Sequence, residues 1–216
     1  MKIVFCLPGK SFSGNFLQSW SNLLATCAVR GYQINLQQNY SCNIYYVRNI
    51  CLGGNVTLGP NQKPYNGKLD YDYMLWIDSD IIFTVEDFDK LLSHQADIVS
   101  GLYLMEDGRQ FATVENWDEN FFALNGYFKF LTPSDLQNKT KPFPVNYTGF
   151  GFMMIKRGVI ESMEYPWFRP EFIQIGESRD FTMEDVAFCR EANRKGYEIL
   201  IDPTVIVGHE KTRILI

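Results

Sequence analysis

No apolar run in this chain approaches the roughly 20 residues that a membrane-spanning helix needs. Nor does a secretory leader open it, since the apolar stretch after Met1-Lys2 ends at Pro8-Gly9. The five cysteines (Cys6, Cys27, Cys42, Cys51, Cys189) are odd in number and lack Cys-x-x-Cys spacing. They are read as reduced, mostly buried thiols of a cytoplasmic protein. On that reading the four sequons at Asn39, Asn55, Asn138 and Asn146 stay unmodified. Basic charge is not in excess either. The net charge is −5 and the pI about 5.1, which argues against a nucleic-acid surface. There is no internal repeat and no linker. Gly9-Lys10-Ser11 is not a Walker loop, because Val4 stands where its first glycine would be.

What is present points to a packed globular chain, with 46% hydrophobic and 21% charged residues. Aromatic residues reach 15%, enough to line a sugar cleft and equally suited to filling a core. Apolar runs at 2–7, 32–36, 44–47, 73–77, 98–104, 150–155, 197–201 and 205–207 read as strands. Helical spacing marks 14–30, 85–94 and 158–163, and a further helix is expected from Thr182 to Lys195. Thr84 with Asp87, and Thr182 with Asp185, have the spacing of capping boxes. Residues 51–69 and 105–148 read as loop or irregular chain. Alternating strands and helices predict one α/β domain, a mostly parallel sheet covered by helices on both faces.

Chemistry concentrates at a few strand ends. Asp78-Ser79-Asp80 follows five apolar residues, so two carboxylates leave the sheet together, where open α/β sheets bind ligands. Such a pair favours a cation between its members, and oxygen donors suit Mn²⁺ or Mg²⁺. Solvated acids in a turn are the plainer alternative. His209 follows a short strand and would favour Mn²⁺ as a third ligand beside Asp78 and Asp80, although a lone histidine is usually structural. Lys211 and Arg213 lie close enough in sequence to neutralise a diphosphate, or form a basic tail. Glu184-Asp185 offers a proton acceptor, against the alternative that Asp185 only caps its helix. Gly149-Phe150-Gly151-Phe152 lets backbone approach a ligand and gives Phe150 a sugar to stack on, or else marks a bulge in the core. Leu7-Pro8-Gly9 ends the first strand and is placed to cradle a base or ribose.

Together and in this order, these segments resemble a GT-A glycosyltransferase over nearly the whole chain. The sequence is also similar to the N-terminal glycosyltransferase module of a multidomain chlorella-virus protein that builds capsid glycans. The resemblance implies a Rossmann-like α/β/α sandwich, with a nucleotide-binding half at about 1–104 and an acceptor-binding half at about 105–216. It implies transfer of a glucose- or rhamnose-type hexose from a UDP-sugar to a glycan hydroxyl. The metal would be Mn²⁺, with Mg²⁺ as the alternative, on Asp78, Asp80 and His209. Leu7, Pro8, Gly9, Arg48, Asn49, Asp78, Ser79, Gly149, Phe150, Gly151 and Lys211 would contact substrate. In inverting members Asp185 would be the base, with Glu184 beside it. Action in the cytoplasm without a membrane anchor is also implied, with room for further domains in a longer polypeptide.

Two other classes compete. A non-catalytic nucleotide-sugar or glycan-binding module would tolerate loss of Asp78. A haloacid-dehalogenase-type phosphatase also has Asp-x-Asp after an apolar strand, but its motif ends the first strand, and here Ile82 stands where it has Thr or Val.

Overall fold

A computed structural model describes residues 1–212 and gives a seven-stranded central sheet with helices on both faces. The first half runs β1 (Lys2–Pro8), α1 (Gly14–Val29), β2 (Gln33–Asn39), α2 (Ile44–Cys51), β3 (Tyr73–Ile77), β4 (Ile81–Ile82), α3 (Val85–Ser93) and β5 (Ile98–Leu102). After it come β6 (Thr113–Val114), α4 (Glu119–Asn125), β7 (Phe143–Val145), β8 (Tyr147–Thr148) and β9 (Phe152–Lys156). The hairpin β10 (Phe172–Ile175) and β11 (Ser178–Phe181) leads into α5 (Glu184–Arg194), β12 (Ile199–Ile206) and β13 (Gly208–His209).

The sheet order is β2-β1-β3-β9-β5-β12-β7. β2, β1, β3, β5 and β12 run parallel, while β9 is antiparallel to both its neighbours and β7 is antiparallel to β12. Burial on both faces explains why β1 and β3 are continuous apolar runs. Their side chains alternate between two cores. Val4, Cys6, Met74 and Trp76 pack with Val47 and Cys51 of α2 and Phe188 and Cys189 of α5. Ile3, Phe5, Leu7, Leu75 and Ile77 pack with Phe16 and Leu23 of α1 and Phe88 and Leu91 of α3.

Several elements differ from the sequence reading. Residues 44–47 begin α2 rather than form a strand, because the Asn43 side chain accepts the Tyr45 N–H and starts a helix. Four β-favouring residues had hidden a helix whose buried side includes Val47 and Cys51. The expected strands at 197–201 and 205–207 are one strand, β12, with a register shift between Ile201 and Ile206. The irregular 105–148 region holds β6, α4, β7 and β8. The capping box at Thr84 and Asp87 is present. The one expected at Thr182 is not, because Thr182 Oγ1 accepts the Glu171 N–H at 2.9 Å and Met183 becomes the N-cap residue of α5. All five cysteines are free, and Cys42 is exposed. Among the described residues no helix is long and apolar enough to cross a membrane.

Candidate active site

The carboxyl ends of β1 and β3 meet first. A Cβ on Gly9 would stand 2.5 Å from Ser79 Cβ, so only glycine lets the Leu7-Pro8-Gly9 segment rest on the Asp78-Ser79-Asp80 turn. Gly9 N–H donates to Asn39 O at 2.9 Å and its carbonyl accepts from Gln38 Nε2 at 2.6 Å, which fixes the segment against β2.

Asp80 meets a segment 129 residues further along the sequence. β13 pairs antiparallel with β4, setting His209 opposite Ile81, and Glu210 N–H donates to Asp80 O at 2.7 Å. His209 Nε2 then lies 3.2 Å and Lys211 Nζ 2.8 Å from Asp80 Oδ2. Burial alone would raise the Asp80 pKa, but His209 and Lys211 outweigh it and hold the carboxyl at about 2. The hydrogen bond to Asp80 raises the pKa of His209. Nδ1 of His209 lies 2.6 Å from Leu104 O, so a proton kept on Nδ1 would let Nε2 give up its proton and its bond to Asp80 and serve as a ligand. Arg213 lies outside the described residues.

Asp78, expected as a ligand beside Asp80 and His209, is paired with Arg48. Arg48 Nη2 donates to Asp78 Oδ2 at 3.2 Å, and Nη1 lies 3.1 Å from Asp78 Oδ1 without hydrogen-bonding geometry, so both atoms lack a hydrogen-bond partner. Among the described residues no three His, Cys, Asp or Glu side chains are gathered closely enough to hold a metal ion. The Asp80–His209 pair does match the donor chemistry of Mn²⁺, an ion that commonly completes its shell with substrate phosphates and water. Residues 78–80 thus divide their acids between a cationic side chain and an imidazole.

Arg48 and Asn49, expected to contact nucleotide, are committed inside the protein. Arg48 is 3% exposed, and its Nε donates to Glu184 Oε1 at 3.0 Å. Asn49 Nδ2 donates to the carbonyls of Tyr45 and Phe168, and its Oδ1 accepts the Phe168 N–H. Phe150 is likewise no sugar platform. It is 1% exposed and packs among Trp76, Phe168 and Phe188. The glycines beside it serve a side chain rather than a ligand. A Cβ on Gly149 would lie 1.9 Å from the Tyr103 hydroxyl, and one on Gly151 would lie 2.6 Å from Tyr103 Cε1.

Two tyrosines absent from the sequence reading therefore belong to this region. Tyr103 packs edge-on against His209 at 5.1 Å. Burial, with Asp78 and Asp185 nearby, raises its pKa. Tyr147 donates its hydroxyl to Asp185 Oδ2 at 3.0 Å, while Asp185 Oδ1 accepts the Val186 N–H at 2.7 Å. Burial, then the neighbouring Glu184 charge, pushes the Asp185 carboxyl up to about 6. Tyr103 sits just beyond the carboxyl end of β5, the same placement that drew attention to Asp78; nothing local marked Tyr147. Beside Glu184, a cleft of about 370 Å³ is lined by Tyr45, Pro170, Phe181 and Met183.

No protein-family model matches the chain, and no curated protein does. Solved structures match its architecture. GalNAc-T7 with UDP, GalNAc and Mn²⁺ superimposes with a TM-score of 0.57 at 13% identity, covering 98% of this chain and 43% of that one. The chain thus spans under half the length of GalNAc-T7. The catalytic domain of Drosophila beta1,4galactosyltransferase 7 with xylobiose gives 0.51 at 12% identity, covering 98% and 71%. A variant of that enzyme with manganese, UDP-Gal and xylobiose gives the same values. The chain has a GT-A fold, a single α/β/α sandwich around a mostly parallel sheet.

Proposed function

We propose that the chain is a metal-dependent glycosyltransferase that moves a glucose- or rhamnose-type hexose from a UDP-sugar to a glycan hydroxyl. Its proposed setting, capsid-glycan synthesis, rests on the sequence resemblance alone. The reading is carried by one observation: within a GT-A fold, His209 and Lys211 converge on Asp80 at the carboxyl edge of the sheet. The uridine nucleotides and manganese in the GalNAc-T7 and Drosophila enzyme structures agree with it.

Asp80 and His209 would hold the divalent ion, Mn²⁺ or alternatively Mg²⁺, which when bound offsets the charge of the diphosphate. Leu7-Pro8-Gly9 lies against the same turn, on the side where the nucleoside would rest. Lys211 brings a further positive charge to the leaving group. Asp185 is not tied to Thr182 in a capping box, and its carboxylate, held by Tyr147 and the Val186 N–H, keeps lone pairs to accept a proton. In an inverting reaction the acceptor oxygen bonds to the anomeric carbon as the bond from that carbon to the diphosphate oxygen breaks. The hydroxyl proton passes to Asp185, whose pKa near 6 leaves it mostly ionised at neutral pH. Tyr147 holds that carboxylate in place.

The test is a panel of nucleotide-sugars with Mn²⁺, scored for donor hydrolysis and for thermal stabilisation. UDP-sugars are expected to raise the melting temperature and to be slowly hydrolysed. Stabilisation without hydrolysis or transfer, even with a broad acceptor panel, would leave a binding module. Neither effect with any nucleotide-sugar would overturn the reading.

A further inference from the structure

Among the described residues, Arg48 is the one buried cation joining the two acidic segments. It is 3% exposed and sits between Asp78, at the end of β3, and Glu184, at the start of α5. These acids lie on elements 106 residues apart (184 − 78). Glu184 is also 3% exposed, and its Oε1 receives Arg48 Nε. The guanidinium lies 5.5 Å from the Trp76 ring and 5.0 Å from that of Phe150, so its plane is held by aromatic walls as well as by charge. A planar fork reaches both carboxylates at once, which a lysine ammonium on one flexible stem does not. The pairing is unsaturated on the Asp78 side, where Arg48 Nη1 and Asp78 Oδ1 are buried without hydrogen-bond partners. Asp78 is thereby left able to trade contact with Arg48 for another partner.

We propose that Arg48 is a positioning residue that ties Asp78 to Glu184 through one guanidinium, coupling the nucleotide end of the site to the acceptor end. The inference rests on the transferase reading above. A change at Glu184 is felt at Asp78 because both acids draw on the same cation. Removing the Glu184 charge leaves Arg48 to Asp78 alone, so Asp78 becomes less available to the incoming metal–nucleotide complex. The direct effect has the opposite sign, since loss of a negative charge by itself favours an anionic nucleotide.

The experiment is calorimetric titration of UDP with Mn²⁺ into the wild type, Glu184→Gln, Arg48→Met and the double variant, each checked for folding by circular dichroism. Glu184→Gln is expected to weaken UDP binding by about fivefold or more, the lower end of typical site-to-site coupling. In the Arg48→Met background the same change is expected to have no weakening effect. If Arg48→Met does not fold, Arg48→Lys takes its place, keeping the charge but losing the fork, and the Glu184→Gln effect is expected to shrink. Unchanged or tighter binding in Glu184→Gln overturns the proposal, as does equal weakening in both backgrounds. A wild type that binds no UDP with Mn²⁺ overturns the transferase reading instead, and the coupling with it.

Discussion

Tyr147 and Asp185 share a 3.0 Å hydrogen bond that joins β8 to the first turn of α5. The bond steadies a carboxylate whose pKa burial and the Glu184 charge have pushed up to about 6. If Asp185 is the base, kcat/KM rises with pH through about 6 and then levels. Tyr147→Phe removes a donor that favours the charged form, so the rising limb moves to higher pH while turnover at pH 8 is largely kept. Asp185→Asn lowers turnover by roughly 10²–10⁴. A pH–rate profile of the three proteins decides the matter. An unmoved limb in Tyr147→Phe removes Tyr147 from the mechanism.

The same group makes stability depend on pH. Its pKa is higher folded than unfolded, so its stabilising contribution is complete below about 4 and is lost as pH rises through about 6. Asp185→Asn never carries that charge. Its melting temperature relative to wild type is therefore expected to be higher at pH 8 than at pH 4.5. Paired melts at the two pH values check the sign, and a pH-independent difference would show that the charge carries no cost.

Gly149 and Gly151 should tolerate no side chain while Tyr103 keeps its place. Gly151→Ala is expected to cost roughly 1–3 kcal/mol, since the new methyl meets a packed ring. The Gly149 clash is with the hydroxyl, so Tyr103→Phe should recover much of the stability lost in Gly149→Ala. Chemical denaturation of the singles and the double measures this recovery, and simple additivity would contradict it.

Metal binding tests the pairing of Asp80 with His209. His209→Ala and Asp80→Asn are expected to weaken Mn²⁺ binding about tenfold or more, read as free Mn²⁺ by paramagnetic resonance. His209→Ala should leave the circular dichroism spectrum unchanged, because the ring lies at the edge of the sheet and not in either core. UDP affinity should also fall when EDTA replaces Mn²⁺. Equal affinity in both buffers would leave the nucleotide bound without a metal.

Much of the sheet was legible because physics wrote it locally. β1 and β3 are buried on both faces, so their apolar runs are unbroken, and α3 announces itself through the capping box at Thr84. His209 could be picked out because it follows a strand end. α2 was missed because Ile44 to Val47 favour strands in isolation, and the helix is decided by Asn43 and by packing against the sheet. The work of Arg48 was missed for a different reason. Its partner Glu184 is 136 residues away, and no local pattern names it. The glycines of Gly149-Phe150-Gly151 correctly signalled a close approach, but the approaching group is the ring of Tyr103.

The antiparallel contact between β4 and β13 also sets an order in time. Asp80 and His209 lie 129 residues apart, so a chain emerging from the ribosome carries Asp78-Ser79-Asp80 long before it carries the imidazole. Any product of interrupted synthesis that stops short of residue 208 lacks both His209 and Lys211, and its Asp80 has neither partner. The pairing of Asp80 with its imidazole and ammonium partners thus waits until residues 209 and 211 have been made, 129 and 131 residues after the acid itself.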